Sequence, residues 1–497
     1  MKVLLLQKND DFTVRKEFSI HEETLFKDLE LQIICNAMAG DDNPLLFSIS
    51  KTAILTTTAD LETIQYRQDI LKDCLKNRDI IQNLYQLTET GIQGDKNHYY
   101  NIFVNYPSSI LHYSDETLNF YMMILKKIRT IADEKASLFS SDGFVQLFSM
   151  LQQELTDSYF TEIADHLKNL DFPHGLSVSA SLGEANKGIN YVLRKQKKSN
   201  KNWLQKLFAK KEPGFTFQLA ERDESGARAF SELKDIAINT TANTLAQSVD
   251  HILAFFTQLQ IELGFYIGCL NLYDQLIEKK LFISFPVAFP LNEHQLSFLK
   301  LYDSCLALGT DTCIQSNDLS ANKKDFIFIT GANQGGKSTF LRSMGIAHLM
   351  MQCGMFVCAE LFQASVCTKI FTHYRKEEDH SMTSGKLDEE LLRMDAIIKD
   401  ITPHCLVLFN ESFAATNERD GSEIARQITQ GLLENDIKLF FVTHLYEFPH
   451  AFFNKHVENI LFLQAQRSPD GKRSFQFTEK EPSATSHGQD LYNTIFL

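Results

Sequence analysis

The sequence lacks the residue patterns that define several classes of protein. No two of its nine cysteines have the C-x-x-C spacing, so neither a disulfide framework nor a zinc site is indicated. No uncharged apolar run reaches the roughly 18 residues that a membrane-spanning helix needs, and no secretory stretch opens the chain. We therefore expect free cysteines in a reducing cytoplasm and no membrane partner.

The chain also lacks an excess of positive charge. Its 49 Lys and Arg residues face 63 Asp and Glu residues, which gives a net charge of −14. Nucleic-acid binding generally uses Lys and Arg to neutralise phosphates, so the overall charge does not favour it, although the local distribution matters more. With 497 residues, 44% of them apolar, the chain is long enough for two or three domains with substantial cores.

A complete G-x-x-x-x-G-K-S segment is present at residues 331–338, which read GANQGGKS. It follows the apolar run 326–329 and precedes a helix-like stretch. A strand that leads through such a loop into a helix lets backbone N–H groups bind phosphate, with Lys337 on the β- and γ-phosphates and Ser338 on Mg²⁺. The alternative is an ordinary Gly-rich turn, which this context disfavours.

Two further apolar runs end in polar residues. The run 405–409 is followed by Asn410 and Glu411, and the run 439–442 by Thr443 and His444. Short, continuously apolar runs are typical of strands buried on both faces of a parallel sheet. Glu411 is a candidate general base, and His444 could contact the γ-phosphate. Each strand end alone could be an ordinary cap, but three in this order favour a P-loop fold.

These segments resemble the ATPase domain of the MutS family of DNA mismatch-repair proteins. The resemblance rests on GANQGGKSTFLRSMG, LVLFNESFAATNERDG and the FVTH strand end, and it is strong over about residues 300–465. It implies an ABC-type ATPase that uses ATP and Mg²⁺, with ATP held between the two subunits of a homodimer. It also implies a duplex DNA substrate that is mismatched or branched, in mismatch repair or recombination.

The resemblance assigns roles to individual positions. Glu411 and His444 are the expected catalytic residues, and Ser338 and, through water, Asn410 are the expected metal contacts. Ser384, Gly385 and Lys386 are expected to reach the nucleotide across the dimer. The expected nucleotide contacts are Gly331, Ala332, Asn333, Gln334, Gly335, Gly336, Lys337, Ser338 and Thr339.

The chain departs from the family pattern in three ways. Asn410 stands where the family usually has Asp, which predicts weaker Mg²⁺ binding and slower turnover. Ser384–Lys386 leads into an acidic helix without the expected hydroxyl residues. The core-like segment begins at Asp60, too early for the family's mismatch-reading and connector domains. We therefore expect a short MutS-like member that lacks the mismatch-recognition domain.

A basic stretch stands out against the acidic background. Residues 194–211 read RKQKKSNKNWLQKLFAKK, with eight basic residues and no acidic ones. Flanking alternation at 176–182 and at 215–219 predicts strands, so the stretch belongs to a small β-rich insertion, clamp-like in position. A solvated loop tip is the alternative reading. The candidate DNA contacts are Arg194, Lys195, Lys197, Lys198, Lys201 and Lys206.

Apolar residues from Leu245 to Ile277 recur at alternating steps of four and three. This 3.5-residue repeat predicts a long lever helix, although an ordinary core helix would also satisfy it. The predicted fold is mixed α and α/β. Residues 1–50 have no clear role, 51–285 form a helical core and lever with the clamp-like insertion at about 172–225, and 286–497 form an ABC-type P-loop ATPase domain.

Two functions from different classes follow. The first is an ATP-driven clamp that binds duplex DNA between paired levers. The second is a nucleotide-switched interaction protein whose slow ATPase controls dimerisation or partner docking without mismatch recognition. The acidic balance and Asn410 support the second function, whereas the lever pattern and the basic stretch support the first.

Overall fold

The structure is a computed structural model that describes residues 1–40, 42–98, 106–170, 172, 175–194, 217–311, 314–331, 334–376, 385–467 and 473–482. The helices are α1 Ile20–Asp28, α2 Leu31–Ala39, α3 Pro44–Leu55, α4 Leu61–Lys76, α5 Arg78–His98, α6 Pro107–Lys135, α7 Asp142–Glu154, α8 Asp157–Leu170, α9 Glu224–Glu278, α10 Ser304–Gly309, α11 Lys337–Gln352, α12 Lys386–Asp400, α13 Glu418–Leu433 and α14 Glu447–Phe453. The strands are β1 Val178–Leu182, β2 Gly188–Leu193, β3 Val287–Phe289, β4 Leu296–Leu301, β5 Asn317–Ser320, β6 Phe326–Thr330, β7 Leu361–Ser365, β8 Ile370–Tyr374, β9 Leu406–Asn410, β10 Lys438–Val442, β11 Ile460–Arg467 and β12 Arg473–Glu479.

The chain divides into two compact units. The first unit comprises Met1–Val3, Gln82–Leu138 and Gln146–Gln260. The second unit comprises Leu4–Ile81, Phe139–Val145 and Ile261–Leu497. The domain boundaries expected from the sequence stay a prediction.

The first unit is mainly helical and includes one small hairpin. Strands β1 and β2 pair antiparallel, with Val178 opposite Leu193. Of the strand predicted at 215–219, residues 217–219 are described and have no regular structure, and the Phe217 side chain is 80% exposed. Residues 215 and 216 lie outside the described residues. Among the described residues, no strand pairs with residues 217–219, and alternation alone does not form a strand without a neighbour that buries the alternate side chains.

Helix α9 spans 55 residues and contains the predicted seam. Seam residues such as Leu259, Leu263 and Tyr266 are fully buried. Among the described residues, α9 alone has the length and hydropathy of a membrane span. However, 72% of its most apolar 18-residue segment is buried within the protein. A buried core helix meets the same criteria.

The second unit is built around a six-stranded sheet with the order β12-β11-β6-β10-β9-β8. Strands β11, β6, β10, β9 and β8 run parallel, and β12 is antiparallel to β11. All five residues of β6 are buried, as expected for a strand covered on both faces. A second sheet has the order β3-β7-β4-β5. The carboxyl ends of β6, β10 and β9 meet at one edge, where ligands of open parallel sheets usually bind.

Helix α11 is fixed at its far end by a buried arginine. Arg67, on α4, donates from Nε to the Leu6 carbonyl oxygen at 2.7 Å and from Nη1 to the Cys353 carbonyl oxygen at 3.4 Å. The next residue, Gly354, has φ +80°, and a Cβ there would lie 2.4 Å from the Cβ of Arg67. Only glycine meets both conditions without strain.

Candidate nucleotide-binding site

The loop between β6 and α11 follows a path that depends on glycine. Gly331 has φ +120°, and a Cβ there would lie 3.0 Å from the backbone nitrogen of Ala465. Gly336 has φ +85°, and a Cβ there would lie 3.2 Å from the Phe475 ring. Gln334 also has a positive φ of 59°, which is uncommon outside glycine. Ala332 and Asn333 lie outside the described residues.

Lys337, the first residue of α11, folds back over this loop. Its Nζ donates to the Gly331 carbonyl oxygen at 3.1 Å, and the residue is 5% exposed. Burial lowers the pKa of Lys337 to about 8, although the carboxylate of Glu411 opposes the shift. A buried cation at the start of a helix is suited to binding phosphate oxygens. Gly335 is buried, and Thr339 lies in the first turn of α11.

The structure brings Ser338 and Asn410 together. The Ser338 hydroxyl donates to Asn410 Oδ1 at 3.0 Å. Within the described part of the chain, no group of three or more His, Cys, Asp and Glu side chains is arranged to hold a metal ion. Mg²⁺ bound with a nucleotide keeps several waters and uses phosphate oxygens, so it needs few protein ligands. One hydroxyl and one amide oxygen therefore fit a magnesium-nucleotide site.

Glu411 and His444 are in direct contact at the same edge of the sheet. His444 Nε2 lies 2.7 Å from Glu411 Oε1, and the Glu411 N–H donates to the Val442 carbonyl oxygen at 2.9 Å. The hydrogen bond from His444 is the main cause that lowers the pKa of Glu411, despite partial burial. The carboxylate is therefore ionised at neutral pH and is held in one orientation.

Two side chains at this edge were not found by sequence reasoning. Arg375, directly after β8, donates its backbone N–H to the Asn410 carbonyl oxygen at 2.9 Å, and its charge also lowers the pKa of Glu411. The ring of Phe475, on β12, lies beside the loop, 3.2 Å from where a Cβ at Gly336 would be. The alternation of Phe475 and Phe477 could have indicated β12 as a strand, but not its position beside the loop.

The remaining predicted residues are those expected to contact the nucleotide across a dimer and those expected to contact DNA. Gly385 precedes α12 and Lys386 begins it, whereas Ser384 lies outside the described residues. A contact across a dimer is a property of two chains and stays a prediction. Arg194 lies at the end of β2 in the first unit, where its Nε donates to Ser179 Oγ at 2.8 Å. The other predicted DNA contacts, Lys195, Lys197, Lys198, Lys201 and Lys206, lie outside the described residues.

The fold and the site are those of a mixed α/β protein with a candidate nucleotide loop at the edge of a mainly parallel sheet. Comparison with protein families narrows this class. The model of the MutS2 N-terminal domain matches residues 59–279, and the model of MutS domain V matches residues 327–493. Together they match most of the chain, and the chain belongs to the MutS family.

Individual relatives support the same assignment. The chain is 34% identical over 138 residues to the DNA mismatch repair protein MutS of Thermotoga sp. strain RQ2, over 28% of this chain and 17% of the relative. It is 34% identical over 130 residues to the protein of that name from Syntrophomonas wolfei, over 26% of this chain and 15% of the relative. The matches to such relatives therefore span about a sixth of their length.

Proposed function

We propose that this chain hydrolyses ATP with Mg²⁺ and uses the reaction to clamp mismatched or branched duplex DNA as a homodimer. The observation that carries the proposal is the contact between Glu411 and His444 at 2.7 Å, at the same sheet edge as the buried Lys337. An oriented carboxylate next to a buried cation is the pairing that phosphoryl transfer to water needs. Membership of the MutS family supports the assignment.

Each residue at the proposed site has a separate role in hydrolysis. Lys337 and the loop N–H groups bind the β- and γ-phosphates and offset the charge that develops on them. The Glu411 carboxylate orients a water molecule in line with the γ-phosphorus and accepts its proton, which yields ADP and inorganic phosphate. The His444 ring holds Glu411 in place and can contact the γ-phosphate. Mg²⁺ supplies charge neutralisation at the phosphates.

The presence of Asn410 in place of Asp is expected to weaken Mg²⁺ binding, and this can be tested. Its amide oxygen accepts from Ser338 but carries no net charge. We expect Asn410→Asp to lower the Mg²⁺ concentration for half-maximal ATPase activity by about 3- to 10-fold, because a carboxylate near the metal contributes roughly 1 kcal/mol more in a partly exposed site. A titration of ATPase activity with Mg²⁺ measures this effect. An unchanged midpoint would remove Asn410 from the metal site.

The basic stretch after β2 is the proposed DNA contact. We expect simultaneous replacement of Lys197, Lys198 and Lys201 by Ala to weaken DNA binding and to flatten its dependence on salt. The slope of the logarithm of the binding constant against the logarithm of the salt concentration should become shallower by up to about 2.7, or 0.9 for each lost phosphate contact. Fluorescence anisotropy with perfect, mismatched and four-way-junction DNA, with and without ATP and Mg²⁺, measures both effects.

A matched control removes the same charge elsewhere in the first unit. Lys127, Lys135 and Lys168 are exposed on α6 and α8, and their replacement by Ala should leave the slope within about one unit of that of the unmodified protein. Equal effects of the two triple variants would show that only total charge matters. Absence of binding to every duplex at low salt would instead favour the nucleotide-switched interaction protein.

A further inference from the structure

The loop that carries Glu411 is strained. Glu411 has φ +55° and Phe413 has φ +62°, in a region that bulky side chains rarely adopt. Such residues cost roughly 1–3 kcal/mol each and persist only where their surroundings hold them. Phe413 is fully buried, so solvent offers it no alternative hydrogen bonds. Protein groups around residues 411–413 must therefore fix this loop.

A buried histidine lies against the loop. His373, on β8, is fully buried beside Phe409 of β9. Its Nε2 lies 2.9 Å from the Glu390 carbonyl oxygen, which can only accept, so Nε2 donates. Its Nδ1 lies 2.7 Å from Ser412 Oγ. The Ser412 hydroxyl donates to the His373 carbonyl oxygen at 2.5 Å. Burial lowers the pKa of His373 to about 4, consistent with the neutral ring.

The ring of His373 also supports the strained phenylalanine. The two rings of His373 and Phe413 stack at a centroid distance of 5.3 Å and an interplanar angle of 21°. His373 thus contacts Ser412 through a hydrogen bond and Phe413 through its ring face. Both residues that follow Glu411 are held from the β8 side.

Helix α12 also contacts the loop. The Glu390 side chain accepts from the Phe413 N–H at 2.9 Å, and Glu390 is 4% exposed. Desolvation raises the pKa of Glu390, and the Phe413 N–H opposes that shift. The Glu390 carbonyl oxygen also accepts the hydrogen bond from His373 Nε2. Glu390 is therefore bonded both to His373 and to Phe413.

We propose that Glu390, His373 and Ser412 are positioning residues that set the orientation of the Glu411 carboxylate and link it to α12. This inference rests on the proposed ATP hydrolysis and adds a residue set to it. None of the three side chains touches the nucleotide loop through a described hydrogen bond. Their effect on the reaction is exerted through the backbone of residues 411–413.

A kinetic measurement distinguishes a role in positioning Glu411 from a role in the stability of the fold. We expect Glu390→Ala to lower kcat for ATP hydrolysis about 10- to 100-fold, because small misplacements of a catalytic group have effects of that size. The dissociation constant for ATP should stay within about 2-fold, because Lys337 and the loop bind the phosphates independently. Glu390→Gln retains an oxygen acceptor for the Phe413 N–H and should restore most of the rate.

Asp395→Ala is the matched control on the same helix. Asp395 is exposed and pairs with Lys399 at 2.6 Å, so its loss should leave kcat unchanged. In the Glu411→Gln background, Glu390→Ala should lower the residual rate by less than about 2-fold, because the group it positions is already absent. If Glu390→Ala fails to fold, Ser412→Ala replaces it in the same measurements, since it removes one hydroxyl only.

The outcomes separate this inference from the proposed function. If the unmodified protein binds ATP but does not hydrolyse it, the proposed function fails and the inference fails with it. If the unmodified protein hydrolyses ATP and the folded Glu390→Ala or Ser412→Ala variant does so at the same rate, only the inference is overturned. A parallel loss of ATP binding and hydrolysis would show a structural role and would also overturn it.

Discussion

Replacement of Lys337 by Ala is expected to weaken ATP binding about 10- to 100-fold, because a hydrogen bond to a charged group contributes roughly 1.5–3 kcal/mol. Hydrolysis should fall further, by about 10³-fold, since the ammonium also offsets charge that develops in the transition state. Lys337 is positioned for both roles by its contact with Gly331 and by its burial. Equilibrium binding of a fluorescent ATP analogue and steady-state phosphate release measure the two effects.

Lys369→Ala is the control for this variant. Lys369 is exposed in the same unit, and its replacement should change neither quantity. ATP affinity in Lys337→Ala equal to that of the control would show that the loop does not bind nucleotide in the expected way. That result would contradict the proposed site as a whole.

The lowered pKa of Lys337 gives the same prediction a pH dependence. The Lys337 amine is protonated below its pKa of about 8, where its charge would attract phosphate, and it loses that charge as the pH rises above this value. ATP affinity should therefore decline between pH 7.5 and about 9.5, towards tenfold per pH unit at the upper end. Lys337→Arg should show a flat profile over this range, because a guanidinium stays protonated.

Glu411→Gln is expected to retain ATP binding and to lose hydrolysis by about 10²- to 10⁴-fold, the usual contribution of a general base. The amide has nearly the same shape as the carboxylate and can still contact His444, but it cannot accept the proton of the attacking water. Single-turnover measurements should show bound ATP persisting in this variant. The proposed phosphate-binding residues are unchanged in this variant, so affinity for ATP should stay within about 3-fold.

Glu447→Gln provides the comparison for Glu411→Gln. Glu447 is exposed in the first turn of α14, near in sequence to His444 but outside the contact with Glu411. Its replacement should leave the rate of hydrolysis unchanged. Hydrolysis at the unmodified rate in Glu411→Gln would mean that another group activates the water.

Much of the sheet edge could be predicted because the signals are local. Strands β6, β9 and β10 are continuous apolar runs, and burial on both faces of a parallel sheet demands that pattern. The residues after each strand meet because parallel strands end at one edge. Ser338 and Asn410 were both expected near the metal, and their side chains are hydrogen-bonded to each other; their contact with a metal stays a prediction.

The backbone conformation of the loop at residues 411–413 depends on tertiary contacts, and no pattern of neighbouring residues in the sequence indicates it. The amino-acid types of Glu411 and Phe413 give no indication of a positive φ, since glycine usually occupies such positions. The partner of Ser412 is His373, 39 positions away, and no periodicity connects the two. The described residues 217–219 of an expected strand have no regular structure, since alternation alone does not provide a neighbouring strand.

Helix α11 is held at both ends, so a change at its loop end on nucleotide binding would alter contacts at its far end. One end of this 16-residue helix begins in the loop, and the other lies against Arg67, about 24 Å away at 1.5 Å per residue. Arg67 also holds the backbone at Leu6. Any sliding of α11 along its axis must therefore break or carry with it a contact on α4, and amide hydrogen exchange near residues 6 and 67 would report nucleotide binding at a distance.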